Sequence, residues 1–155
     1  MNPAEYLLFV YGTLMSEEPE HARLAGPAGG GPQTPGARLL GAIATEATFD
    51  LVDLGVEPAL VAGGTTAVRG ELYAVTAAQL AAVDVHHGHP LRYRRAAIRL
   101  EDGRVVEAHL LAADQTRGRR RIRGGDWKAR LTPRVGAGAD LAWSRFARER
   151  GRTPR

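Results

Sequence analysis

The pattern of apolar and polar residues predicts a chain made mostly of short strands. Residues 6–10 form an unbroken apolar run rich in aromatic and β-branched side chains, which is typical of a strand buried on both faces. Residues 101–103 (Glu-Asp-Gly) predict a hairpin turn. Further strands are predicted over residues 37–44, 47–54, 68–75, 92–100 and 104–113, with another short strand before the Gly63-Gly64 connection.

Helix signals are fewer than strand signals. Thr76 is a good N-cap for a helix over 77–84, which the segment 86–90 ends. Ser16 predicts a short helix over 17–24, and apolar spacing predicts a last helix over 139–150. Because the six or seven predicted strands do not alternate with helices, the pattern indicates an α+β domain with a mostly β core. The segments 26–36 and 117–127 are predicted loops.

Composition narrows this picture to one soluble domain. A length of 155 residues fits a single domain over 1–155, with its core over about 5–127. No apolar segment is long enough to span a bilayer, so no membrane partner is expected. The absence of cysteine excludes disulfides and thiolate chemistry. Because no basic stretch precedes the first apolar run, a cytoplasmic location is the default expectation.

The net charge of +4 arises from local arginine clusters. One lies within residues 117–123 and another within 145–155. Such clusters can bind phosphate backbones, but no aromatic residue interleaves with the first one to stack on bases. A solvated surface explains them more simply, so nucleic acid is an unfavoured partner. The pattern does not define an oligomeric state.

The first strand runs directly into Tyr11, Gly12, Thr13 and Leu14. Gly12 lets the backbone turn sharply or approach a ligand without a Cβ in the way. Successive amides in such a turn can bind an anion. From local chemistry alone an ordinary turn after a core strand is the simpler interpretation, and both alternatives stay open at this point.

Five stretches, in order along the chain, together resemble the γ-glutamylcyclotransferase-like (AIG2-like) family, in particular its bacterial branch. Each motif is weak alone, but five in the correct order are hard to obtain by chance. The matching stretches are Phe9-Val10-Tyr11-Gly12-Thr13-Leu14, residues 53–61 (DLGVEPALV), Gly70-Glu71-Leu72-Tyr73, residues 83–88 (VDVHHG) followed by Tyr93-Arg94-Arg95, and Gly125-Asp126-Trp127.

The resemblance implies a small mixed β-barrel flanked by helices, with a cavity at the turn over residues 11–14. It also implies the release of 5-oxoproline and an amine from a γ-glutamyl amine or peptide, without a metal or cofactor. Tyr11, Gly12, Thr13 and Leu14 would hold the α-carboxylate or the γ-carbonyl oxygen of this small-molecule substrate through backbone amides. Tyr93 would either orient the substrate or fill the core.

The chain departs from the family at the position where the acid/base glutamate is expected, which holds His87. A neutral imidazole can accept a proton, with an ordinary pKa near 6.5, but it lacks the charge that would hold a substrate ammonium. Three alternatives follow. In the first, His87 replaces the glutamate as the base and gives activity that rises through about pH 6 to 7. In the second, another carboxylate, such as Glu57, Glu71 or Glu46, acts as the acid/base group. In the third, the catalytic step is lost and the site binds an amino-acid-like ligand.

The cluster of His86, His87 and His89 also raises the possibility of a metal site, with Asp84 as the nearest carboxylate. Adjacent histidines do not easily face one ion in regular structure, so a solvated helix end is the simpler interpretation and no metal is expected. Of Arg94 and Arg95, at most one can reach the cavity because strand residues alternate faces. Trp127 is expected to fill the core rather than to contact a ligand.

Overall fold

The computed structural model describes residues 5–25 and 36–131. Within these residues the chain forms eight strands, two α-helices and one 3₁₀ turn. The strands are β1 (Glu5–Val10), β2 (Arg38–Ala44), β3 (Phe49–Asp53), β4 (Pro58–Ala62), β5 (Arg69–Thr76), β6 (Arg94–Arg99), β7 (Val105–Leu110) and β8 (Arg120–Arg121). The helices are α1 (Ala22–Ala25) and α2 (Ala77–His87), and the 3₁₀ turn covers Ala113–Thr116.

All the strands predicted from the sequence are present, and the structure differs from the prediction in one extra strand and in the extent of the two helices. The extra strand β8 lies inside the arginine-rich segment predicted as a loop, and its two residues pair with Val52 and Asp53 of β3. The helix predicted over 17–24 is much shorter than expected and starts at Ala22. Glu17 has a φ of 70°, which no α-helix accommodates, and turns fill the segment until α1 begins at Ala22. The helix predicted over 139–150 lies outside the described residues.

All eight strands belong to one mixed sheet, with the order β2-β5-β1-β7-β4-β3-β8 and β6 paired with β7. The sheet curls into a half-barrel with the helices at its flank, which confirms the predicted α+β fold. Antiparallel pairing dominates, but β7 runs parallel to both β1 and β4. Because β6 covers one edge of β7 along its whole length, β1 and β4 must share the other edge.

Few backbone pairs join β1 and β4 to the edge of β7 that they share. The parallel register joins β1 to β7 at Leu8 and Glu107, and it joins β4 to β7 at Leu60 and Leu110. The end of β1 therefore lies beside the start of β4. The turn over residues 11–14 follows β1 directly and is placed in the gap between these two strands.

Helix α2 is fixed at both ends by its own sequence. Thr76 Oγ1 accepts the Gln79 amide at 3.1 Å, and the Gln79 side chain accepts the Thr76 amide at 2.8 Å, which completes a capping box. Gly88 ends the helix in the left-handed conformation, with a φ of 70°. The helix therefore runs three residues past the predicted end at Asp84, and it carries His87 on its last turn.

Large side chains fill the interior between the curled sheet and α2. Trp127 is 1% exposed in the main apolar cluster, as expected for a core-filling residue, and its indole nitrogen donates to Glu18 Oε1 at 3.1 Å. Leu80 and Val83 anchor α2 to the sheet. Neither helix in the described part of the chain is long and apolar enough to cross a membrane.

Replacing Thr76 by alanine is expected to destabilise the protein by about 1 kcal/mol, because the first turn of α2 loses its side-chain acceptor. Urea unfolding monitored by circular dichroism measures the free energy of unfolding. Thr76→Ser retains the hydroxyl and Thr65→Ala alters an exposed threonine, so both should match the wild type closely. Equal stability of Thr76→Ala and Thr65→Ala would contradict a role for the cap.

Candidate functional site

A cleft opens where β1 and β4 separate along the edge of β7. Its walls come from the end of β1 and the following turn, the start of β4, the end of α2, and β7. The lining residues are Phe9, Val10, Tyr11, Gly12, Thr13, Leu14, Glu57, Pro58, His87 and His109. The turn predicted as a ligand cradle and the residue predicted as an acid/base group therefore lie in one cleft.

Gly12 is needed here for packing. A Cβ at this position would lie 2.6 Å from both Cδ and Cγ of Pro58, which real side chains do not allow. The turn packs directly on the first residue of β4 as a result. The carbonyl of Gly12 accepts the Met15 amide at 3.0 Å, while the amides of Gly12, Thr13 and Leu14 have no hydrogen-bond partner within residues 5–25 and 36–131.

The Tyr11 hydroxyl is occupied by the protein backbone. It donates to the His109 carbonyl of β7 at 2.6 Å and accepts the Leu60 amide of β4 at 3.1 Å. Burial raises the pKa of this hydroxyl well above its ordinary value. The side chain thus joins two strands across the base of the cleft, and the part of Tyr11 left for a ligand is its backbone.

His87 lies on the last turn of α2 with its side chain half-buried. Nδ1 lies 3.2 Å from the Val83 carbonyl oxygen, and since a carbonyl can only accept, Nδ1 must donate. The neutral ring then keeps a lone pair on Nε2. Burial, together with the neighbouring His109, lowers the pKa of His87 to about 3. A pKa this low places the protonation of His87 well below the range of about pH 6 to 7 expected for an ordinary imidazole.

Tyr93 supports His87 from the core side. It is 1% exposed, its hydroxyl donates to the Pro58 carbonyl at 2.8 Å, and its ring meets the His87 ring edge-on at 4.9 Å between centroids. Tyr93 is not among the residues that line the cleft. Of its two expected roles, the core role fits this position, and direct substrate contact remains a prediction.

His109 is the cleft residue that sequence reasoning missed. It lies on β7, is 3% exposed, and stacks nearly parallel on His87 with the ring centroids 4.5 Å apart. Its Nε2 lies 2.7 Å from Asp84 Oδ1. No motif surrounds it. The strand pattern gave no signal either, because His109 shares its face of β7 with Val105 and Glu107, while Val106 and Ala108 face the core.

Asp84 is held ionised by an arginine. Arg95 Nε donates to both carboxylate oxygens of Asp84, at 2.9 and 3.2 Å, and Arg95 Nη1 donates to Glu107 at 3.0 Å. Burial opposes ionisation, but the hydrogen bonds from Arg95 and His109 outweigh it and lower the pKa of Asp84. Arg95 thus reaches the polar network behind the cleft while Arg94 is exposed, consistent with strand alternation.

The three carboxylates considered as replacements for the family glutamate lie in different places. Glu57 lines the cleft and pairs with Arg92 at its rim. Glu71 lies elsewhere and accepts hydrogen bonds from Ser16 and Tyr73. Glu46 lies on the surface, 3.9 Å from Arg99. Glu57 is therefore the one of the three positioned to contact a ligand in this cleft.

The remaining sequence features do not form a second site of the expected kind. His89 Nδ1 accepts the Arg95 amide at 3.0 Å. Within the described ranges, no three histidine or acidic side chains are grouped to hold a metal ion. In the arginine-rich segment, Arg120 pairs with Asp53 at 3.0 Å and Arg121 with Asp50 at 3.1 Å, which reduces its positive field.

Comparison with known proteins assigns the chain to a family. The family model "Gamma-glutamyl cyclotransferase, AIG2-like" matches residues 8–129. The chain is 34% identical over 132 residues to a Vibrio cholerae protein named "Putative gamma-glutamylcyclotransferase", covering 82% of this chain and 99% of that protein. The chain therefore belongs to the AIG2-like γ-glutamylcyclotransferase family.

Solved structures agree with this assignment. A protein specific to uropathogenic E. coli superposes with a TM-score of 0.67 at 25% identity, covering 81% of this chain and 94% of that one. A mouse AIG2-like protein superposes with a TM-score of 0.56 at 28% identity, covering 70% of this chain and 77% of that one.

Tyr11→Phe is expected to lower the free energy of unfolding by about 1 to 3 kcal/mol, because the buried Leu60 amide loses its partner. Chemical denaturation measures the change. Tyr6→Phe is the matched control, because Tyr6 is 40% exposed on the same strand and should tolerate the change. If both variants are equally stable, the hydroxyl does not hold β4 to β7.

Proposed function

We propose that the protein releases 5-oxoproline and an amine from a γ-glutamyl amine or peptide by intramolecular cyclisation in this cleft. The observation that carries the proposal is the composition of its walls. The unpaired amides of Gly12, Thr13 and Leu14 lie on one side, and His87 and Glu57 line the same cleft. Family membership supports the same class of reaction.

The three unpaired backbone amides of the turn are suited to bind an oxyanion or a carboxylate. Three successive N–H groups without partners can hold the glutamyl α-carboxylate or the γ-carbonyl oxygen, which gains negative charge as the ring closes. Donors fixed in advance by the fold need no reorganisation when that charge develops. Gly12 contributes indirectly, since its contact with Pro58 sets where the three amides lie.

The remaining requirement is proton transfer. The α-nitrogen attacks the γ-carbonyl carbon and changes from an ammonium to the ring amide, so it loses two protons in all. The leaving nitrogen must gain one proton before its C–N bond breaks. The leaving amine takes up the other proton on becoming an ammonium in water. His87 at the acid/base position is proposed to accept from the α-nitrogen through Nε2, which carries the lone pair. Because the ring is neutral, it does not repel the substrate ammonium.

Glu57 is proposed to supply the negative charge that His87 lacks. Its carboxylate lines the cleft, and its side chain is 18% exposed. The partner Arg92 is 53% exposed at the rim, so Glu57 can also interact with an ammonium inside the cleft. The two functions of one glutamate, charge attraction and proton acceptance, would then be divided between two residues.

A second candidate is a lapsed enzyme that binds a small amino-acid-like ligand. The low pKa of His87 favours this alternative, since a base with a pKa of about 3 retains a proton poorly at neutral pH. The backbone cradle does not depend on His87 and would bind a glutamyl group in either case.

Release of 5-oxoproline from γ-glutamyl dipeptides, γ-glutamyl-lysine and glutathione distinguishes the two candidates. The proposal expects turnover by the wild type and a loss of about 10²-fold or more in His87→Ala. The rate should keep rising towards about pH 8 as the substrate ammonium loses its proton, with no inflection from His87, which is neutral throughout this range.

Two other outcomes contradict the proposal in different ways. No turnover by the wild type together with activity in His87→Glu would identify a lapsed site on an intact scaffold. No turnover by either protein would remove the cyclotransferase assignment for this chain. Circular dichroism of each variant separates loss of activity from loss of fold.

A further inference from the structure

His109 is a buried titratable residue in the cleft that the family resemblance does not account for. We propose that His109, with Asp84 on its other ring nitrogen, is the catalytic group that takes up and returns the proton during cyclisation. This proposal rests on the proposed function, but it assigns the proton-accepting step to His109 instead of His87. His87 then binds and orients the α-nitrogen, and Asp84 acts as a positioning residue.

The hydrogen bond to Asp84 determines which nitrogen of His109 is free. An ionised carboxylate can only accept, so Nε2, 2.7 Å from Asp84 Oδ1, must carry a hydrogen. In the neutral ring the lone pair therefore resides on Nδ1. This atom has no hydrogen-bond partner in the described part of the chain, although His109 is 3% exposed and is one of the residues that line the cleft. A buried acceptor without a partner is free to receive a substrate proton.

The two histidines differ in their partners, because only His109 has a carboxylate, that of Asp84, at hydrogen-bond distance from its ring. When His109 takes a proton, its charge is balanced by a carboxylate at hydrogen-bond distance, as in other acid–histidine pairs. The Nδ1 of His87 faces the Val83 carbonyl, and its ring neighbours are His86, Tyr93 and His109. A protonated His87 would thus have no carboxylate among the groups that contact its ring.

The groups that act on His109 come from three segments of the chain. Helix α2 contributes Asp84, strand β6 contributes Arg95, and the segment between them contributes His89. Burial lowers the pKa of His109, and so do Arg95 and His89, while Asp84 opposes the decrease. Arg95 is itself neutralised by Asp84 and Glu107.

The proposed step conserves every proton. His109 Nδ1 accepts one proton from the α-nitrogen as that nitrogen bonds to the γ-carbonyl carbon. The resulting imidazolium donates the same proton to the leaving nitrogen, and the C–N bond to the amine breaks. The second proton lost by the α-nitrogen leaves through water to the released amine.

Matched variants test the role of His109. His109→Gln should lower kcat by about 10²-fold and change KM by less than about threefold, because it removes a proton carrier rather than the amide cradle. His86→Gln removes a neighbouring histidine that does not line the cleft and should leave kcat unchanged. Asp84→Asn should lower kcat by about 10-fold or more, while Asp53→Asn breaks an arginine pair outside the cleft and should have no effect.

The kinetic outcomes separate this proposal from the one on which it rests. If the wild type turns over substrate and folded His109→Gln retains kcat within about threefold, His109 is not the proton carrier and the proposed function stands. If the wild type turns over no γ-glutamyl compound, the proposed function fails and the role of His109 fails with it.

Nuclear magnetic resonance of the histidine ring nitrogens tests the role of His109 in the wild-type protein, so this test does not depend on whether a variant folds. In wild-type protein His109 should be protonated at Nε2, and the Nδ1 signal should move when 5-oxoproline is added. A His109 ring protonated at Nδ1 would overturn the proposal. So would an Nδ1 signal that stays fixed while the amides of Gly12, Thr13 and Leu14 shift. No shift at any of these atoms would count against the cleft itself.

Discussion

The Tyr11 hydroxyl holds together the part of the fold on which the cleft depends. β1 and β4 share one edge of β7, and the parallel ladders that join them to it are short. The hydroxyl bridges this junction by donating to His109 of β7 and accepting from Leu60 of β4. Because it is buried, water cannot substitute for it, and the bond fixes both the cleft wall and the strand that carries His109.

In the proposed function, neutral rings do the work that a single carboxylate could do at the position of His87. A glutamate at the position of His87 would attract an ammonium and accept its proton. Here Glu57 can supply the charge, and Asp84 gives His109 the counter-ion that a protonated imidazole needs. The stacked rings of His87 and His109 lie side by side in the cleft, and the proposed role of His109 would give the site an acid/base group without a glutamate.

The sequence predicts the fold well and about half of the site. Strands and α2 follow from local periodicity and from the Thr76 cap, and the motif around Gly12 locates the cleft. The reason for Gly12 could not be foreseen, because the clash it avoids involves Pro58, far along the chain. His109 was missed because its partner Asp84 is distant in sequence and comes near it through the packing of α2 on the sheet. The pKa of His87 likewise depends on burial that no local pattern shows.

The most direct test of this account is to titrate the ¹⁵N-labelled protein with 5-oxoproline and follow its backbone amide resonances. We expect the amides of Gly12, Thr13 and Leu14 to shift most, because they are unpaired in the free protein and would bind the ligand oxygens. Saturable shifts centred elsewhere, such as around Glu71 and Lys128, would contradict it. So would the absence of any shift at millimolar ligand.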